Sequence, residues 1–439
     1  MNMPTSRERT WPVRRAQSRW LTVAIRNVAV WPDVEYFQDY DGFEFILLPE
    51  TTRTPPAVAI ELMPPLDLNK ARAAIRRFLS AYAWAERHAA EDDFGIGSGY
   101  PGGVGKNEGP IQTSGANFRL DYLPSTTDPK ARLCLALYRE ALGLGNTTYR
   151  FLAFFKIINV LHENGAKQIA WINAAIPKLA DRLALERLDK LCKPQTDLGK
   201  YLYESGRCAV AHAYAEPIAD PDDPEDTERL NSELPIVQAL AEHLIESELG
   251  IKSAETIHRD HLYELAGFRE HFGPDLIARL KSKSAVKSDE LRPLPALIFH
   301  VRDHLPRSSF LRMTSTIVSA DGGIVIVDCV SSPPLASIRM ELDFPAERMR
   351  IDPLDGIGLV DDGSANAMAV AMDVHFLFRY IFLNRVVEVW ADGADQAWGR
   401  TAPYIPLNMR FDGRAWEQEH QEIFRNHLLR LGQEVVKAP

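Results

Sequence analysis

An arginine and a histidine five residues apart, Arg207 and His212, are the side chains best suited to chemistry in this 439-residue chain. They lie in Glu204-Ser205-Gly206-Arg207-Cys208-Ala209-Val210-Ala211-His212-Ala213. A guanidinium stays charged and can grip a phosphate with paired donors. An imidazole exchanges a proton near neutral pH. On an ideal helix, residues five apart point about 140° away from each other, so the two do not share a stripe. A long arginine could reach round, and the small Ala209, Ala211 and Ala213 would let a second helix close a pocket. On spacing alone, an ordinary helical arginine and histidine is the simpler reading.

The other candidate clusters carry less. Gly97-Ser98-Gly99-Tyr100-Pro101-Gly102 has the spacing G-x-G-x-x-G, and Gly105-Lys106 resembles the end of a phosphate loop. A dinucleotide fingerprint must follow a buried strand and open a helix. Here the run follows a helix and the acidic Glu91-Asp92-Asp93, and Asn107 stands where a phosphate loop needs Ser or Thr, so residues 91–117 are expected to be a flexible surface loop. His258 and His261 fall at i and i+3 with Glu255 one turn earlier, a metal-compatible spacing. With no second ligand cluster, an exposed polar face is expected. The carboxylates of Asp220-Pro221-Asp222-Asp223-Pro224-Glu225-Asp226 could attract a hard cation. Their prolines spoil any calcium-loop spacing, and a solvated linker whose last acids face the positive end of the next helix is expected. Cys134, Cys192, Cys208 and Cys329 are scattered, which points to reduced thiols. No metal and no cofactor is expected.

The elements that must position Arg207 and His212 follow from periodicity. Short β-branched and aromatic runs at 20–25, 28–31, 43–48 and 58–62 read as strands. Asp67 caps an amphipathic helix from Leu68 to about Ala90 through Ala71, Ile75, Phe78, Leu79 and Tyr82. Residues 118–123 read as a strand returning to that sheet. From Asp128 the period is helical, with helices expected near 129–142, 147–163, 167–190, 197–215, 228–249 and 258–281. Strands follow at 324–330, 338–342 and 386–390, then a helix over 413–431. The fold class is therefore α+β: an N-terminal α+β unit with the Gly-rich loop (1–125), a central all-α bundle (126–283) and a C-terminal β-rich domain with a terminal helix (284–439).

A net charge of −10 and 25% charged residues argue against a protein that coats nucleic acid non-specifically. The basic arm Arg7, Arg9, Arg14, Arg15 and Arg19 lacks the apolar stretch of a secretory signal. The longest apolar run, Phe376 to Leu383, is broken by Arg379 and too short to span a bilayer. No membrane association and a cytoplasmic location are expected.

An Arg, a short gap and a His near the end of a helix in a bundle resemble the signature of the HEPN superfamily. The resemblance implies a metal-independent endoribonuclease of the toxin or antiviral-defence kind, acting on RNA as a homodimer through the helical domain. Arg207 would hold the scissile phosphate and His212 would support proton transfer as the 2′-hydroxyl attacks, leaving a 2′,3′-cyclic phosphate. Cys208 departs from the pattern, since active members usually carry a polar residue after the arginine. A second resemblance rests on Pro129-Lys130-Ala131-Arg132-Leu133-Cys134-Leu135-Ala136-Leu137-Tyr138-Arg139-Glu140, Tyr149-Arg150-Phe151-Leu152-Ala153-Phe154-Phe155-Lys156-Ile157-Ile158, and Arg207 to Ala213 followed by Asp222-Asp223-Pro224. Over about residues 20–265 these are similar to methylamine-utilisation MauJ proteins. That likeness brings no defined reaction and leaves open a non-catalytic accessory protein that uses its helical domain for dimerisation or docking.

Overall fold

In a computed structural model of the chain, the structure describes residues 19–28, 30–107, 111–113, 118, 120, 122–191, 197–212, 218–220, 222–302, 306–382, 386–401 and 412–437. The basic arm before Arg19, Cys192 and residues 213–217 lie outside them. The chain divides into two compact units, one up to Thr256 and the other from Ile257 onward.

The first unit opens with an antiparallel sheet of β1 (Trp20–Arg26), β2 (Tyr36–Tyr40), β3 (Phe43–Leu48), β4 (Ala57–Glu61) and β5 (Glu91–Ser98), in the order β2-β3-β4-β1-β5. Helix α1 (Leu68–Glu86) starts where Asp67 accepts the Lys70 amide at 2.9 Å. It buries Ile75, Phe78, Leu79 and Tyr82 against Val23, Phe45, Leu47, Val58 and Ile60. Period-two alternation puts the strand residues on one face and period-3.6 spacing puts the helix residues on one stripe.

Two expectations for this sheet are corrected. Residues 28–31 form no strand among those described, and Phe118, Leu120, Tyr122 and Leu123 are not strand either. The place beside β1 is taken by Glu91–Ser98, the start of the supposed loop. Its acids are not solvated turn residues: Asp92 accepts from Arg72 Nε and Arg76 Nε, each at 3.0 Å. Gly95 lets β5 approach, since a Cβ there would lie 3.1 Å from a Val23 methyl. Farther along the same stretch, Pro101 and Val104 are buried, while Tyr100 and Lys106 on either side of them are exposed.

The helical part of this unit follows. Helices α2 (Pro129–Gly143), α3 (Thr147–Leu161), α4 (Gly165–Ala175) and α5 (Arg182–Leu191) lead to α6 (Leu198–Tyr201), a π-helical stretch (Leu202–Cys208) and α7 (Ala209–Ala211); α8 (Pro224–Ser247) closes the set. The starts of α2, α3 and α6 fall where periodicity expects them, and α8 begins at Pro224 rather than near 228. Asp128, Asn146, Asn164, Asp197 and Asp223 each cap a helix with the side chain, satisfying amides that have no partner within the helix. Phe151, Phe154, Phe155 and Ile158 of α3 are fully buried with Leu230, Val237, Leu240 and Leu244 of α8. The helix expected over 167–190 is interrupted: Ile176–Lys178 is a tight 3₁₀ turn around Pro177, and Asp181 accepts the Ala184 amide to start α5.

The second unit carries β6 (Leu297–Arg302), β7 (Pro306–Asp321), β8 (Ile324–Val330), β9 (Ala336–Asp343), β10 (Arg348–Ile351), β11 (Ile357–Leu359), β12 (Val387–Ala391) and β13 (Gly399–Thr401). The order is β10-β9-β8-β7-β6-β12-β13, with β11 on β9. Gly399 on β13 meets Met349 on β10, where a Cβ would sit 2.8 Å from the sulfur, so the sheet curls toward closure. The helix expected over 258–281 is broken. Arg259 ends α9 (Ala254–Arg259), His261 turns left-handed at φ 52°, and Gly273 at φ 83° separates α10 (Ala266–Phe272) from α11 (Pro274–Lys281). His258 and His261 therefore do not share a helical face; His261 Nδ1 lies 2.6 Å from Glu264.

Helix α12 (Ala365–Phe382), which contains most of the longest apolar run, pairs with α13 (Gly413–Lys437). Among the described residues no helix is long and apolar enough to cross a membrane. Arg430 of α13 grips Asp361, just before α12, with two bonds of 2.6 and 2.9 Å. That hydrogen bonding holds the Asp361 carboxyl down at about 2 from an ordinary 3.8. A depressed carboxyl favours the fold above its ordinary range, and that contribution disappears as the pH falls through the folded value. NMR titration should find Asp361 half-protonated near pH 2, and Arg430→Ala should return it toward 3.8; an unmoved midpoint would show the pair to be inert.

Candidate functional site

Arg207 and His212 come together. Arg207 Nη1 lies 3.0 Å from His212 Nε2, although an ideal helix would point them apart. Two departures from α geometry make this possible. Leu202–Cys208 is π-helical, a wider turn than the α-helix that often occurs at functional positions. His212 then leaves the helix with extended backbone, φ −129° and ψ 106°, while its amide still bonds Cys208 O at 3.0 Å. Its ring can thus swing back toward the arginine. Arginine has donors only, so this bond needs an unprotonated Nε2 and places the ring proton on Nδ1.

The surroundings hold the guanidinium from below. Its Cζ stands 5.7 Å from the centre of the Tyr203 ring, one turn back, a cation–π distance. Cys208 Sγ lies 3.7 Å from Nη1. The Tyr203 hydroxyl is pushed up from its ordinary value, first by burial and then by Cys208, so it remains a neutral phenol beside the pair. Arg207, Cys208 and His212 are all half-buried. Arg207 Nε is buried without a hydrogen-bond partner among the described residues.

Gly206 sets the depth of this segment. A Cβ there would fall 2.5 Å from Phe151 Cζ, so only glycine lets the π-turn rest on the aromatic stripe of α3. The sequence pointed to Arg207 and His212 but not to Tyr203, Gly206 or the α8 residues described below. Tyr203 could have been found from its i, i+4 spacing to Arg207. Members of the acidic run bond to the backbone around the start of α8. Asp223 caps α8, and Asp226 accepts the Asp220 amide at 3.0 Å. Among the described residues, no group of three or more His, Cys, Asp or Glu is placed to hold a metal.

A family model described as methylamine utilization protein MauJ matches residues 134–246. The chain is similar to the MauJ family there. No curated protein and no solved structure matches the chain. The MauJ-like stretch covers about a quarter of the sequence. It contains the π-helical turn, Arg207 and His212, whereas the N-terminal sheet and the whole second unit fall outside it.

Replacing Gly206 by alanine should cost about 1–3 kcal/mol in urea unfolding, as expected of an overpacked site. Gly145→Ala, where a Cβ would meet nothing within 4 Å, is the control and should stay within about 0.5 kcal/mol of the parent. Equal effects at the two positions would remove the packing argument.

Proposed function

We propose that the Arg207–His212 pair is the working site of a HEPN-type protein that binds and cleaves RNA without a metal. The observation that supports this most is the 3.0 Å contact between Nη1 and Nε2. It joins an anion-gripping group to a proton acceptor on a half-buried surface. In this reading the RNA phosphate draws the guanidinium onto itself and frees Nε2. His212 then takes the 2′-hydroxyl proton, and the 2′-oxygen bonds to phosphorus. The imidazolium so formed gives that proton to the 5′-oxygen as its bond to phosphorus breaks, so a 5′-hydroxyl leaves and a 2′,3′-cyclic phosphate remains. Two copies of the chain, paired through their helical parts, would build one composite site, and such a protein would work in the cytoplasm, in bacterial defence or stress response.

Labelled RNA incubated with purified protein in a chelator should yield fragments ending in 2′,3′-cyclic phosphate. His212→Ala and Arg207→Ala should each lower the rate by about 100-fold or more. Absence of both cleavage and RNA binding, with the two variants behaving as the parent in cells, would sink the proposal.

A second reading is favoured by Cys208, whose sulfur rather than a polar oxygen or nitrogen sits 3.7 Å from the guanidinium. In it the protein is a non-catalytic accessory factor resembling MauJ, and the helical part serves dimerisation or docking. Retention of partner binding by His212→Ala together with inactivity toward every RNA would select it.

A further inference from the structure

We infer that Arg229 is the positioning residue of the Arg207–His212 pair, holding the π-turn open from helix α8. This rests on the reading of that pair as the working site. A π-helical turn shifts the backbone bonding by one residue, so a carbonyl on its rim can lose its helical partner. Ser205 O is supplied from outside: Arg229 Nη1 donates to it at 2.9 Å. Ser205 is two residues before Arg207, so this bond fixes the rotation at which Arg207 leaves the helix.

Arg229 is itself pinned. Its Nη2 donates to Asp226 at 3.1 Å, and its Nη1 lies 3.5 Å from Glu233 one turn on. Burial acts to weaken its charged state, but the Asp226 bond and the Glu233 carboxylate outweigh that and raise its pKa. Glu233 is fully buried and also takes the Tyr201 hydroxyl, while Arg187 stands 3.6 Å away. Tyr201 is the last residue before the π-turn. Helix α8 thus holds the turn at its start through Tyr201 and Glu233, and at its middle through Ser205 and Arg229. Asp226 in addition accepts the Asp220 amide, and Ala219 donates to Ala209 O at 3.1 Å. The same arginine therefore ties the chain that passes beside α7 to the site. The acidic run does its work here, as a tether for a positioning arginine.

Arg229→Gln removes the charge and the fork. Arg229→Lys keeps a cation beside Glu233 but cannot span Ser205, Asp226 and Glu233 together. Both should be compared with the parent in the full-length protein by imidazole NMR of labelled histidine and by amide hydrogen exchange. Expected in Arg229→Gln is a displaced His212 imidazole signal, other histidines unmoved. Exchange across Leu202–Cys208 should be about tenfold faster or more, with Arg229→Lys intermediate. If the parent cleaves RNA, kcat should fall about tenfold with KM within about twofold, as for a lost orienting contact. An unshifted His212 signal and unchanged exchange in Arg229→Lys would overturn the inference, and that variant decides if Arg229→Gln fails to fold. A parent inactive on RNA would count against the ribonuclease reading alone, since the NMR and exchange measurements decide the clamp without any activity.

Discussion

A carboxylate with no exposure to water, Glu233, is the group on which the site depends. Burial raises its pKa, against the Tyr201 hydroxyl, Arg229 and Arg187 that favour its charge. Breaking a buried pair by removing one partner costs about 3–5 kcal/mol, far more than an exposed ion pair contributes. Such a group fixes its neighbours firmly. Through Tyr201 and Arg229 it reaches the start and the middle of the π-turn, and through Arg229 it reaches the acidic Asp226.

The aromatic stripe of α3 supplies the opposing surface. Phe151 receives Gly206, and Phe155 stands 6.3 Å from Tyr203. The π-turn is held between an apolar floor and a polar clamp. Packing sets its depth and directed hydrogen bonds set its rotation. Neither alone would bring a guanidinium to 3.0 Å from an imidazole five residues away.

Much of the architecture was readable because it rests on local rules. Asp67, Asp128, Asn146, Asn164, Asp197 and Asp223 cap helices because their short oxygens reach amides two or three residues on. The apolar faces of α1 and α3 followed from period alone. Misreadings came where partners distant in sequence decide. Glu91–Ser98 is polar and glycine-rich and reads as loop; it is strand because β1 offers an edge and Arg72 and Arg76 meet Asp92. The apolar all-round stretch of α12 gave no periodicity by which to tell it from a strand.

The sequence by itself determined the mixed α and β character, the starts of α1, α2, α3, α6 and α13, and the candidates Arg207 and His212, since these depend on residue type and short spacing. The tertiary structure decided that the two candidates touch. Their meeting requires a π-turn and an early exit from the helix, and no local preference of Leu202–Cys208 announces either. Residues of α8, 24 and 32 positions later in the chain, impose them by bonding the Ser205 carbonyl and the Tyr201 hydroxyl. The pair began as an ordinary arginine and histidine on divergent sides of a helix and became one half-buried site because a distant helix holds the backbone between them out of α geometry.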